Sequence, residues 1–421
     1  MIQLSHLTNT IPVVTENIPS FDSIALGLWV KVGSRDETKD ERGITHFIEH
    51  LLFKGTKKRT ALDIAKEIDS VGGVINAFTS KEYSCFYVKV LKKDIDLGFE
   101  ILSDIFLNSL FDEKELEKER MVIIEEINMI EDTPDDLIHD LFNKTFFKDN
   151  SLGFPITGEK ETVFKIKRSH ILDYFKKFYI PSNIIISAAG NLSHEMILKK
   201  AKNSFGKMVE MPNPNHRETP KRRSSFFFLP KNLEQIHFCL GSKGIPYQDS
   251  LRFAAYTLNA IFGGSMSSRL FQEIREKRGF AYSIYSFLSP YSDTGIFGVY
   301  GGVKKNSFLK VIELVLKEME KFSKNGINKQ ELLFAKDQLK GNLLLGLESS
   351  DARMNRLAKN IIFFNKVIPI EESIKQIDAV SIEDITYLAK RFFNPDYFTM
   401  AALGPAKEKE IKKLEEIFTI K

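Results

Sequence analysis

Two alternating apolar runs stand in the two halves of the chain, Ile24-Ala25-Leu26-Gly27-Leu28-Trp29-Val30 and Ile236-His237-Phe238-Cys239-Leu240. Their period of two predicts strands. Each run is followed by a helical stretch, further β-rich runs and a pair of long amphipathic helices. Late in each half the match sharpens. Phe111-Asp112-Glu113-Lys114-Glu115-Leu116 resembles Ile327-Asn328-Lys329-Gln330-Glu331-Leu332, and both introduce a helix, at an offset of 216 residues (327 minus 111). A single repeat of this length predicts duplicated domains; a solenoid repeats every 20–50 residues.

Between the halves, Phe205 to Ser225 holds Met211-Pro212-Asn213-Pro214-Asn215 and the basic run Lys221-Arg222-Arg223, and reads as a connector. The expected organisation is a first domain over 1–205, a linker over 206–225 and a second domain over 226–421. Strands and helices mix within each half, with too few βαβ units for a doubly wound sheet. The expected fold class is α+β: two duplicated domains, each a largely antiparallel sheet with helices packed on one face.

At 421 residues the chain is too long for one ordinary core, which agrees with two domains. Hydrophobic residues at 43% and charged residues at 28% describe a water-soluble globule. A formal charge of +4 gives no support to nucleic-acid binding. No apolar run nears the roughly 20 residues of a membrane span, and the N-terminus has neither a Sec-type nor a transit-type pattern. The two cysteines, Cys85 and Cys239, read as buried thiols of a reducing compartment, so a cytoplasmic protein is expected.

The chemistry concentrates in His46-Phe47-Ile48-Glu49-His50. Ile44 to Lys54 contains no Pro or Gly and Gly55 follows, which predicts a helix and its stop. On it His46 and His50 stand at i and i+4, so both imidazoles leave one face and can reach a single Zn²⁺. Glu49 points to the edge of that site, suited to act as a base. This order is the inverzincin signature. A catalytic zinc takes three protein ligands. The helix predicted over Glu113 to Met129 offers Glu115, Glu117, Glu119, Glu125 and Glu126. Leu116, Val122, Ile123 and Ile127 are its expected buried stripe, and Glu119 and Glu126, two turns apart, share a face.

With these residues the chain resembles the pitrilysin-type (M16) metallopeptidases over nearly its whole length, close to the mitochondrial processing peptidase β-subunit and bacterial peptidasome relatives. The resemblance implies Glu126 as third ligand to one zinc per chain, and Glu119 as a carboxylate supporting the site. It marks Asn76-Ala77-Phe78 as an active-site edge strand to which a peptide adds as a further strand. Arg275 and Tyr282, seven residues apart after the Gly263-Gly264 loop, match the Arg and Tyr that the family's second domain contributes at the substrate carbonyl. The second half has no His-x-x-Glu-His, and the offset puts Asn342 where Glu126 stands in the first, so that half is expected to be metal-free. His6, His139, His170, His194, His216 and His237 read as structural or surface residues.

The activity so implied is zinc-dependent endopeptidase cleavage of small or unfolded peptides by a homodimer, with no nucleic-acid or membrane partner. Removal of leader segments is one alternative. A non-catalytic scaffold subunit of the same descent is the other.

Overall fold

The structure, a computed structural model, describes residues 1–214, 217–221 and 224–419. Asn215, Arg222 and Arg223 of the expected connector, and His216, lie outside the described residues.

Eleven strands form two sheets among the described residues. In the first, β1 (Ile2–His6), β2 (Pro12–Asn17), β3 (Ser23–Val30), β4 (Val74–Thr79), β5 (Ser84–Leu91) and β6 (Ile184–Gly190) lie in the order β1-β2-β6-β3-β5-β4. In the second, β7 (Ser225–Pro230), β8 (Gln235–Lys243), β9 (Ala281–Pro290), β10 (Gly295–Lys304) and β11 (Thr399–Gly404) lie in the order β7-β11-β8-β10-β9. Without β1, the first order is the second one over again, strand for strand. The parallel pair recurs too: β2 with β6, and β7 with β11, every other pairing being antiparallel. Helix α4 (Glu113–Asp132) and the helix Lys329–Gly346 begin 216 residues apart (329 minus 113). The α+β class and its duplication are both present.

Each chain unit is discontinuous. One comprises Met1–Met129, Phe154–Arg217 and Gly346–Val367; the other comprises Ile130–Gly153, Glu218–Leu345 and Ile368–Lys421. Each half of the chain therefore lends one helix to the other half's sheet. In the first unit β3 is buried on both faces, which is why its sequence is apolar almost without a break. Ile24, Leu26, Leu28 and Val30 face the main core with α1 (Ile44–Leu52) and α3 (Ile95–Asn108). Ala25 and Trp29 face the lent helix Ser350–Phe364 through Met354, Leu357 and Ala358. The Trp29 indole N–H points at Met354 Sδ, 3.3 Å away. A Cβ on Gly27 would lie 2.5 Å from that sulfur, so glycine lets the helix approach. In the second unit the lent helix is α5 (Pro134–Phe146), whose Ile138 and Phe142 pack on Cys239 and Ala401.

α1 is buried on nearly every side, Phe47, Ile48, Leu51 and Leu52 all closing against the core. Gly43 starts it at φ +89°, where a Cβ would press to 2.7 Å from Thr157 O. Gly55, at φ +122°, follows its end. On α4 the buried stripe is Leu116, Glu119, Arg120, Ile123, Ile124 and Ile127. Val122, expected in that stripe, is 49% exposed. One residue is about 100° of helical rotation, and that turns Val122 away from the face that Ile123 buries.

Candidate metal centre

The site is built from residues of α1, α4 and β4 that all lie within the first unit. His46 and His50 stack edge-to-face, centroids 4.7 Å apart, one turn from each other on α1. Glu126 Oε2 comes within 3.6 Å of His46 Nε2 and 3.7 Å of His50 Nε2. Ligand atoms of these three residues all lie within 4.8 Å of one another, the sole such group of three or more His, Cys, Asp or Glu among the described residues. The separations are too long for hydrogen bonds. They approach the ~3.4 Å between two ligands of a tetrahedral zinc with bonds of ~2.0–2.1 Å. Nor is the His46–Glu126 contact an ion pair, because burial and then His50 push the His46 imidazole down to about 3, which keeps it neutral and ready to ligate.

α4 supplies a second contact. Glu119, seven residues before Glu126, accepts from His50 Nδ1 at 3.0 Å, which directs the other ring nitrogen, Nε2, toward Glu126. Its second oxygen takes Lys54 Nζ at 2.7 Å. His46 Nδ1 is buried and has no hydrogen-bond partner among the described residues, so only one of the two imidazoles is braced through its far nitrogen. The donor set, two imidazoles and one carboxylate, is that of a zinc site with an open position.

Glu49 leaves α1 beside the pair. Burial raises its carboxyl above the ordinary range, while a hydrogen bond from the Thr79 hydroxyl at 2.5 Å opposes the rise. Thr79 ends β4, which lies at the sheet edge with β5 on one side only. Alternation sends Ile75 and Ala77 to the core that holds α1, and Phe78 to the opposite face, edge-on to Trp29 at 5.5 Å. Phe78 thus packs away from α1. Asn76 is exposed, and its Oδ1 accepts the Ala77 N–H at 2.8 Å, so that amide is not used in pairing with β5.

Behind the site, Glu37 closes the start of α1. Its carboxylate accepts the N–H of Gly43 at 2.8 Å and of Thr45 at 2.9 Å, doing the work of a capping side chain that Gly43 lacks. Burial pushes this carboxyl up to about 8, overcoming the amide hydrogen bonds that favour the charged form. The folded state therefore holds the proton more tightly than the unfolded chain. Glu37 adds stability as pH falls from about 8 toward 4.5, and that contribution is lost as pH rises through 8. The difference in urea midpoint between the native protein and Glu37→Gln should shrink from pH 5.5 to pH 8.5, the shared histidines cancelling. A gap independent of pH would refute this account.

In the second unit, Arg275 lies on a π-type turn, Phe271–Glu276. Its guanidinium sits 4.7 Å from the Phe271 ring centroid and 5.4 Å from that of Tyr282, which is 78% exposed. The pair picked out at a seven-residue spacing is a stacked surface pair. Asn342 lies exposed on Lys329–Gly346. His194 is a satisfied core histidine, between the hydroxyls of Ser5 and Thr15 at 2.8 Å each. His237 and His139 contact the hydroxyls of Tyr300 and Tyr285.

Three neighbours of the site carried no role of their own in the sequence reading. Lys54 stands at i+4 from His50, a spacing that could have flagged it. Thr79 follows from strand alternation once β4 is placed beside α1. Glu37 carries no local signal.

Residues 12–160 match the family model for insulinase (peptidase family M16), and residues 165–339 match that for the peptidase M16 inactive domain. An uncharacterized zinc protease of Bacillus subtilis, YmxG, is 40% identical over 96% of this chain and 99% of its own. An uncharacterized zinc protease of Streptomyces coelicolor is 38% identical over 99% of this chain and 92% of its own. Among solved structures, a protease from Helicobacter pylori shares the fold at a TM-score of 0.90 and 23% identity, covering 96% of this chain and 99% of that one. The duplicated sheets, the inverted histidine motif and this similarity along almost the entire length place the chain in the insulinase family, peptidase family M16.

Proposed function

We propose that this chain is a zinc-dependent endopeptidase that cleaves small or unfolded peptides held as an added strand along β4. One observation carries the reading: two imidazoles and a carboxylate converge beside a sheet edge that has no further strand among the described residues. The names of the relatives, zinc proteases, point the same way. His46, His50 and Glu126 would hold one zinc per chain. Zinc there supplies a Lewis acid that acidifies water and polarises a carbonyl. Glu49 takes the proton of the attacking water and delivers it to the leaving amine. The backbone of Asn76, Ala77 and Phe78 holds the peptide, giving affinity with little side-chain preference. Glu119 steadies His50. Arg275 and Tyr282 serve the substrate's carbonyl end as a unit, in keeping with their stacking.

The working form we propose is a homodimer, since one chain carries both the metal cluster and the Arg275/Tyr282 pair. Its compartment is the cytoplasm, in keeping with two free, buried cysteines. No helix of the described residues is long and apolar enough to cross a membrane.

The test is cleavage of a mixed peptide library by the purified full chain, with products sequenced and bound metal measured. Scattered cuts, abolished by a chelator and restored by Zn²⁺, are expected. One sharp consensus would favour leader removal, and zinc-loaded protein without cleavage would favour a scaffold role.

A further inference from the structure

The base proposed above is joined to the strand proposed to receive the peptide. Glu49 Oε2 accepts the Thr79 hydroxyl at 2.5 Å, and the Thr79 amide stabilises the same carboxylate. Thr79 is the last residue of β4, and its backbone is fixed by pairing opposite Ser84. Two residues back along the same strand, about 7 Å at the rise of a strand, the Ala77 N–H is capped only by its neighbour's Asn76 side chain. A peptide strand that displaced that amide oxygen would be registered on the element that anchors Glu49.

We propose that Thr79 is a positioning residue: its hydroxyl holds the Glu49 carboxylate in register with a peptide paired to β4. This rests on the reading of Glu49 as the base. A carboxylate on a free side chain samples several rotamers, and misplacement by about 1 Å costs on the order of 10²-fold in rate. Thr79 removes that freedom without touching substrate side chains. The hydroxyl should therefore act on the chemical step and leave binding alone.

The variants are Thr79→Val, which keeps the β-branched shape without the donor, and Thr79→Ser, which restores it. Each is made in the full chain, with Glu49→Gln as control. For a quenched fluorescent peptide, Thr79→Val should lose about 10²-fold in kcat. KM, and zinc affinity read by competition with a chromogenic chelator, should stay unchanged, and Thr79→Ser should recover most of the rate. If Thr79→Val lowers the melting temperature, Thr79→Ala reads the same kcat and KM split. A rise in KM at unchanged kcat would make Thr79 a strand-binding residue and overturn the proposal. Wild-type turnover in Thr79→Val with a silent Glu49→Gln would overturn it while leaving the base assignment intact. Wild-type turnover in Glu49→Gln would remove the base assignment and this proposal together.

Discussion

Glu49→Gln should keep its zinc and lose about 10²–10⁴-fold in kcat, the range that a positioned general base contributes. The amide preserves the shape of the side chain and can still meet the Thr79 hydroxyl with its oxygen, so the helix and the neighbouring histidines have no reason to move. What disappears is proton acceptance. Glu49 is separated from the cluster by role: the three convergent residues are His46, His50 and Glu126. Metal content by mass spectrometry beside single-turnover cleavage decides the matter. Zinc lost together with activity would make Glu49 a ligand, and activity kept would leave the water without its base.

The opposite signature is expected of Glu126→Gln. Glu126 is the only anion among the three convergent residues, and it stands within 3.7 Å of both imidazoles. Removing it leaves two imidazole nitrogens and an uncharged oxygen for a dication, so zinc should be absent after ordinary dialysis and turnover absent with it. The rise in melting temperature on adding Zn²⁺ to the metal-free native protein should vanish as well, because ligand-linked stabilisation scales with affinity. The fold should survive, since Glu126 contributes to the rim of α4 and the stripe from Leu116 to Ile127 remains. A variant that retains stoichiometric zinc after dialysis would point to another third ligand.

The local parts of the site were legible in the sequence. An i,i+4 histidine pair requires only that α1 be a helix, and strand alternation requires only that β3 and β4 be strands. The tertiary parts were legible to differing degrees. Five glutamates on α4 were candidates, and the choice of Glu126 leaned on resemblance and on a face argument whose stripe included the exposed Val122. Period alone leaves a helix free to rotate by a residue, and only the neighbouring core fixes it. Glu37 and Thr79 act across chain separations that a spacing rule does not cover. The exchange of helices between the two halves was illegible for a related reason: an apolar stripe on Ser350–Phe364 shows that the helix is covered, and not which sheet covers it.

That exchange also governs when the protein can be finished. The sheet of the first unit keeps Trp29, Cys85 and Ile185 bare on one face until Met354 and Leu357 have been synthesised. The second sheet waits for β11, near the end of the chain, to fill its place between β7 and β8. At ~5–20 residues per second a ribosome needs tens of seconds for such a length. Throughout that interval the nascent first half presents an apolar sheet face. The first unit therefore cannot close until the Ser350–Phe364 helix has been made, nor the second until β11 has, both late in translation.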